Sequence, residues 1–224
     1  SVALHWAFLE VQRAQAAQRR EAEARVLAGE AELRALKAQI NPHFLYNSLN
    51  SISALTGVEP LRARQMCLQL SEFLRSTLGL SAEERVPLSK EIELLRRYLE
   101  IEKTRFGSRL AIEEEIADDC LSDQVPALLL QPLAENAIVH GISAIVEGGV
   151  LRVAARHGGD LKLIVVMENS IDEDASLPVK EGFGLSSIKK RLQTAYGPHA
   201  TLSINAAGSL FRAELVLPVG EKHS

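Results

Sequence analysis

The chain has 224 residues, 46% of them hydrophobic and 24% charged, and a formal net charge of −4. The length exceeds the commonest domain size, so we expect one compact domain with an appended helical part. The acidic balance lacks the basic excess that nucleic-acid binding requires, which argues against nucleic acid as a direct partner. The two cysteines, Cys67 and Cys120, have no metal-ligand or redox spacing. This favours a reducing compartment and predicts that both side chains fill the core.

The first forty residues predict a signalling helix. Residues 1–9 are apolar but fall short of the about 20 residues that span a membrane. They are either the cytoplasmic end of a membrane helix, with Trp6 at the interface, or an ordinary amphipathic start. Residues 10–39 contain no proline and a single glycine, which predicts one long helix. Apolar residues at its end have heptad spacing, which favours a dimeric connector over a solvated spacer: Val26, Leu33, Leu36 and Ile40.

A second helix is predicted over residues 42–55, with Asn41 as its N-cap and Pro42 at its first position. At about 100° per residue, His43, Asn47 and Asn50 share one face of this helix. The opposite side is apolar: Leu45, Leu49 and Ile52. A neutral imidazole is a nucleophile suited to accepting a phosphoryl group. Taken alone, such a histidine is more often simply tolerated on a solvated face.

A third helix is predicted over residues 61–78, joined to the second by a short connection that contains Gly57 and Pro60. Its buried side is predicted to comprise Met66, Leu70, Phe73, Leu74 and Thr77. The two helices would form a helical hairpin, and two copies would form a dimeric four-helix bundle. Residues 81–87 are predicted to be a linker.

The remainder predicts an α+β fold. Ser89 is the expected N-cap of a helix to about residue 106, followed by a strand near residues 110–116 and a helix over 126–140. Strands are expected over 150–156 with 161–167, and over 201–205 with 210–217, with a helix over 185–195 between the two pairs. Strands on one side and helices on the other form an α/β sandwich.

Two polar groups in this part are suited to nucleotide binding. Asn136 and His140 lie one turn apart on the 126–140 helix, and an asparagine oxygen suits a Mg²⁺ ion that keeps most of its waters. Gly182 and Gly184 precede the 185–195 helix, where glycines let the backbone approach a polyphosphate. Each signal is weak alone, and their order along the chain is what matters.

Residues 41–50, Asn-Pro-His-Phe-Leu-Tyr-Asn-Ser-Leu-Asn, resemble the phospho-acceptor segment of the LytS-type sensor histidine kinases. Residues 86–106 look like the connector of that family. The order of the asparagine helix, strand pair, polar loop and glycine pair resembles the Bergerat-type ATP-binding domain shared by histidine kinases, gyrase and the Hsp90 chaperones. The resemblance covers about residues 33–217.

The resemblance implies roles for particular residues. His43 would be the phosphorylated residue, and Asn47 would position water or a receiver domain. Asn136 would bind Mg²⁺ and His140 would contact the ATP phosphates. The second glycine box would comprise Gly182, Phe183, Gly184 and Leu185, and residues 170–181 would form a mobile lid.

The resemblance also implies an organisation and partners. Residues 1–40 would be the juxtamembrane signalling helix, 41–87 the dimerisation and phosphotransfer hairpin, and 88–219 the ATP-binding catalytic domain. The protein would use ATP and Mg²⁺, form a homodimer, and pass the phosphoryl group to an aspartate of a response regulator. It would lie at the cytoplasmic face of the inner membrane, its N-terminus continuing from a membrane segment.

One motif departs from the family pattern. The first glycine box usually reads Asp-Asn-Gly-x-Gly, whereas here the strand ends in Glu168, Asn169 and Ser170. Strand alternation points Asn169 inward, where its carbonyl can accept the hydrogen bond of the adenine amino group. Glu168 is the alternative if a bulge shifts the register. We expect weakened or lid-dependent ATP affinity.

The catalytic base is also undefined by sequence. Phe44 follows His43, so the carboxylate found there in the commoner histidine kinases is missing, and Glu135 is the alternative candidate. Two other functions are open. One is a non-catalytic dimeric scaffold, which the lost glycines favour. The other is a clamp ATPase, which would need a base one turn before Asn136, where Pro132 stands.

Overall fold

The computed structural model describes residues 41–159, 162–172 and 183–219. The predicted signalling helix, the apolar start and most of the predicted lid lie outside the described residues. The chain divides into two compact units, residues 1–45 and 46–224, and the first contributes only residues 41–45 to the description. Within the described residues, no helix is both long enough and apolar enough to cross a membrane.

Two helices open the described chain. Helix α1 spans Pro42–Val58 and helix α2 spans Pro60–Ser81, with Glu59 alone between them. Each runs three residues beyond its predicted end, because Gly57 and Gly79 are accommodated inside the helices. The buried residues of α2 recur at helical spacing: Ala63, Met66, Leu70, Phe73 and Thr77. Leu74 is only half-buried.

The following elements are, in chain order, β1 Arg85–Pro87, α3 Leu88–Phe106, β2 Leu110–Ile116, β3 Gln124–Pro126, α4 Gln131–Asn136, β4 Gly149–Gly158, β5 Lys162–Ser170, α5 Phe183–Tyr196, β6 Thr201–Ala207 and β7 Leu210–Pro218. Five strands form one sheet in the order β2-β4-β5-β7-β6. Strands β2 and β4 pair in parallel, and the other neighbours are antiparallel. Both predicted hairpin pairs are confirmed.

The predicted linker is wrong in part, because it contains a strand. Strand β1 pairs antiparallel with β3, with Val86 opposite Val125. Helix α3 then begins at Leu88, and the N–H groups of Leu88 and Ser89 donate to the carbonyls of Asp123 and Leu121, at 2.8 and 3.0 Å. Backbone carbonyls therefore satisfy the helix start, and the predicted Ser89 side-chain cap is not formed.

The core lies between the sheet and the helices. Helix α3 packs on α2, on α4 and on strand β2, whereas α5 packs on α4 and on strand β6. The rings of Phe73 on α2 and Tyr98 on α3 lie 6.0 Å apart between centroids. The α+β class is confirmed. Cys120 is buried as predicted, but Cys67 is exposed, because it lies one residue past the buried spacing of α2.

Candidate active site

The histidine of the first motif lies in the first turn of α1. The side-chain oxygen Oδ1 of Asn41 accepts a hydrogen bond from the His43 N–H at 3.0 Å, which confirms the predicted N-cap. Pro42 opens the helix, where its missing N–H costs nothing. His43 is exposed, as predicted, while the next residue, Phe44, is buried.

The two faces of α1 differ from the predicted stripes. His43 and Asn50 are exposed but Asn47 is half-buried. On the apolar side Leu49 is 55% exposed. The buried positions of the first turns are instead Phe44 and Ser48, which are four residues apart.

Helix α4 is shorter than the predicted 126–140 helix. Pro126 ends strand β3, and the helix begins only at Gln131 because the backbone of Leu128 is left-handed, with φ of +56°. After Asn136 the helix widens into a π-helical turn over Ala137–Gly141. Such turns are frequent at functional sites. Here the turn separates half-buried Asn136 from exposed His140.

The carboxylate beside Asn136 belongs to a charged network. Glu135 accepts a hydrogen bond from Nε2 of Gln131 at 2.8 Å. Glu102 on α3 is buried, and its carboxylate lies 2.9 Å from the Arg105 guanidinium. Burial raises the pKa of Glu102 to about 7, the Arg105 charge works against this rise, and the Glu135 charge adds to it. The site therefore contains a carboxyl group that titrates near neutral pH.

Asn169, near the end of β5, supplies a buried acceptor. It is 2% exposed, its Nδ2 donates to the Ser170 carbonyl at 2.9 Å, and its Oδ1 has no hydrogen-bond partner among the described residues. The pairing of β5 with β7 is regular through Glu168 and Asn169. Glu168 forms an ion pair with Arg212 at 2.5 Å. The regular register confirms that Asn169, and not Glu168, points inward.

Gly141 at the end of the π-helical turn makes room for Asn169. A β-carbon on Gly141 would lie 2.1 Å from Nδ2 of Asn169 and 2.9 Å from the Ser170 carbonyl oxygen. Only glycine therefore fits between the turn and the strand end. The sequence motif contained Gly141, but no local signal marked the contact, because the partner lies 28 residues further along the chain.

The second glycine motif lies at the start of α5. Gly182 lies outside the described residues, and α5 begins at Phe183, so Gly184 is inside the first turn rather than before the helix. A β-carbon on Gly184 would lie 3.5 Å from the Pro132 carbonyl oxygen, and Leu185 is buried. Asn136 on α4, Asn169 on β5 and Gly184 on α5 lie on adjoining elements, because α4 packs on α5 and the π-helical turn after α4 packs on β5.

Comparison with known proteins decides the family. A family model for histidine kinases matches residues 31–110. The sensor protein LytS of Oceanobacillus iheyensis is 34% identical over 205 residues, which are 86% of this chain and 35% of that protein. The sensor histidine kinase YpdA of Escherichia coli is 37% identical over 182 residues, 77% of this chain and 32% of that protein.

The chain belongs to the LytS-type sensor histidine kinases. It spans about a third of the length of the curated relatives it matches. Among solved structures, the histidine kinase domain of the blue-light activated histidine kinase from Erythrobacter litoralis EL346 aligns with 81% of this chain and 98% of its own, at 17% identity and a TM-score of 0.48.

Proposed function

We propose that this chain transfers the γ-phosphoryl group of ATP to His43 and then to an aspartate on the receiver domain of a response regulator. The proposal assigns residues 41–87 to dimerisation and phosphotransfer and residues 88–219 to ATP binding. The proposal assumes that this chain carries out the reaction of the LytS-type kinases. It also requires a site that binds ATP without the usual first glycine box.

The observation that carries the proposal is the Oδ1 atom of Asn169. A buried acceptor without a partner costs about 1–3 kcal/mol, so its retention needs a reason. The 6-amino group of adenine is a donor that would satisfy it. Gly141 supports this role for Asn169. A larger residue at position 141 would collide with the Asn169 amide and displace it. The residues present therefore fit ATP.

Other residues would hold the phosphates and the metal. Asn136 would bind Mg²⁺ through its amide oxygen, with His140 near the phosphates. When bound, Mg²⁺ neutralises charge on the phosphates during transfer. Gly184 in the first turn of α5, with Gly182, Phe183 and Leu185, would let backbone N–H groups face the phosphates.

The chemical step needs an accessible imidazole. A neutral ring nitrogen of His43 attacks the γ-phosphorus in line, a P–N bond forms, and the bond to the β,γ-bridging oxygen breaks with its electron pair leaving on ADP. The proton on the other ring nitrogen passes to a base, and Glu135 is the carboxylate assigned to this role. A rearrangement of the helices brings ATP and His43 together, and Asn47 positions water or the receiver domain.

Exposed apolar side chains favour a homodimer through α1 and α2. Leu49, Leu61 and Leu68 are 55%, 84% and 58% exposed. Leu61 and Leu68 lie seven residues apart and therefore share one face of α2, and exposed apolar patches are typical of interaction surfaces. We place the proposed dimer at the cytoplasmic face of the inner membrane.

Incubation with γ-labelled ATP and Mg²⁺ tests the proposal. We expect acid-labile, alkali-stable label on the unsubstituted chain and none on His43→Gln. The matched control is His199→Gln, an exposed histidine in a turn, which should label normally. Nucleotide binding without label would contradict the proposal and indicate a scaffold. Hydrolysis without label would contradict it and indicate a clamp ATPase.

A further inference from the structure

A buried carboxylate on α3 binds the segment that leads into α4. Glu91 is 1% exposed. Its Oε1 accepts from the Leu128 N–H at 2.6 Å, and its Oε2 accepts from the N–H groups of Leu129 and Leu130 at 2.8 and 2.9 Å. Burial raises the pKa of Glu91, while these three N–H bonds act to lower it. We refer to residues 127–130 as the lead-in segment.

The lead-in segment needs this acceptor. Leu128, Leu129 and Leu130 precede α4 and are buried, so their N–H groups need acceptors from elsewhere in the chain. Leu128 is the one non-glycine residue with positive φ among those described, a conformation that costs about 1–3 kcal/mol and persists only where the surroundings impose it. The carboxylate satisfies three consecutive donors and holds Leu128 in that conformation.

A side chain from α5 binds the same segment from another element. Arg191 donates from Nη1 to the Ala127 carbonyl, and its positive charge faces Glu91. Ala127 also donates its N–H to the Glu84 carbonyl at 3.3 Å. The lead-in segment is therefore fixed by α3, by α5 and by the chain just before β1.

The position of the lead-in segment determines where α4 begins. Gln131 follows Leu130 directly, and α4 ends at Asn136 after six residues. In so short a helix a displacement of the first turn reaches the last residue with little loss. At the same end of the helix, Pro132 packs against Gly184 of α5.

We propose that Glu91 is a positioning residue for the kinase reaction: by binding the N–H groups of Leu128–Leu130, it places the Asn136 amide where Mg²⁺ and the ATP phosphates are bound. This inference rests on the proposed function, in which Asn136 is the Mg²⁺ ligand. Glu91 itself touches neither metal nor nucleotide.

The test substitution is Glu91→Gln, because the lead-in segment needs two acceptor oxygens and glutamine has only one. Glu91→Gln preserves the shape of the side chain but replaces one acceptor oxygen with an NH₂ group. That group cannot accept from an N–H, so at least one lead-in donor loses its partner. The matched control is Glu93→Gln on the same helix, because Glu93 is exposed and pairs with Arg97 at 2.7 Å, away from the lead-in segment.

The test measures the affinity of the full chain for ATP with Mg²⁺ and for ATP in EDTA. Glu91→Gln should weaken binding of Mg²⁺·ATP by about tenfold, the effect of losing a hydrogen bond to a charged group, and should change metal-free binding less than about twofold. Glu93→Gln should change neither. In an Asn136→Ala background, Glu91→Gln should have no further effect on Mg²⁺·ATP affinity.

Other outcomes decide against the inference. Equal weakening with and without Mg²⁺ would overturn it, because general loosening of the domain affects both. Unchanged binding would overturn it too. If Glu91→Gln does not fold, Arg191→Met removes the second contact to the lead-in segment, and the same Mg²⁺-selective loss is required. Failure of the unsubstituted chain to bind ATP would instead overturn the proposed function, and this inference with it.

Discussion

Gly141 and Asn169 are in direct contact, and the contact holds the acceptor of the proposed adenine pocket in place. The amide nitrogen of Asn169 lies where the side chain of any other residue at position 141 would begin, 2.1 Å from an ideal β-carbon. The same nitrogen donates to the Ser170 carbonyl, so the opposite atom of the amide, Oδ1, is left for a ligand.

Gly141→Ala should therefore displace Asn169. We expect the free energy of unfolding to fall by about 1–3 kcal/mol, as for overpacking elsewhere. ATP affinity should fall about 2- to 10-fold, as expected for loss of the hydrogen bond to the adenine amino group, because the acceptor moves. Urea denaturation and a binding titration measure the two effects. The control is Gly79→Ala in α2, where an added β-carbon meets nothing within 4 Å. It should stabilise the helix by about 0.5–1 kcal/mol. Unchanged ATP affinity in Gly141→Ala would contradict the adenine assignment.

Asn169→Ala should reduce the preference for ATP over GTP. The substitution removes the oxygen that would accept from the adenine amino group, a bond that contributes about 0.5–1.5 kcal/mol, so ATP affinity should fall about 2- to 10-fold. GTP has no amino group at that position and should be affected less. Competition titrations with the two nucleotides measure the ratio. Asn205→Ala, at an exposed position on β6, is the control and should leave the ratio unchanged. A parallel loss for both nucleotides would show that Asn169 only supports the fold.

Glu102 should make the stability of the protein fall as the pH rises toward neutrality. Its folded pKa of about 7 lies above the ordinary value of 4.5, so the folded state holds the proton more tightly. The stabilisation is complete below pH 4.5 and is lost as the pH rises through about 7, a change on the order of 3 kcal/mol. Urea midpoints between these pH values should show a flatter profile for Glu102→Gln than for Glu100→Gln, its exposed neighbour on α3. Identical slopes would show that Glu102 is ionised throughout.

His157 should contribute in the same direction but at higher pH. Its Nε2 lies 2.6 Å from Asp123 and its Nδ1 lies 3.1 Å from Asp119, and the hydrogen bond to Asp123 is the largest cause of its raised pKa. The stabilisation is complete below the ordinary pKa of 6.5 and is lost as the pH rises through the higher folded value. Cys120 beside it stays neutral, because burial raises the pKa of its thiol to about 11.

The measurement is the thermal midpoint on either side of neutral pH, where His157→Gln should remove part of the pH dependence. His199→Gln, at an exposed turn position, is the control. A midpoint that depends on pH equally in both variants would mean that the pKa of His157 is the same in the folded and the unfolded protein.

The sequence predicted those features of the structure that depend only on neighbouring residues. Asn41 and Pro42 predicted the helix start and the exposed His43, because capping needs only neighbouring residues. Alternation along β5 placed Asn169 inside, because side chains in a strand have a period of two.

Long-range contacts were not visible in the sequence. Glu91 appeared to be an ordinary acid in the first turn of a helix, yet its partners lie 37 to 39 residues away. The left-handed Leu128, which delays the start of α4, had no glycine or asparagine signal. Strands β1 and β3 have three residues each, too few for a periodic pattern.

The β1–β3 pair has a practical consequence for isolating the nucleotide-binding half of the protein. A fragment that began at residue 88 would lack the strand that pairs with Gln124–Pro126 and would leave the backbone groups of β3 open to aggregation. A fragment that begins at Glu84 or earlier retains the β1–β3 pairing and the hydrogen bond from the Ala127 N–H to the Glu84 carbonyl.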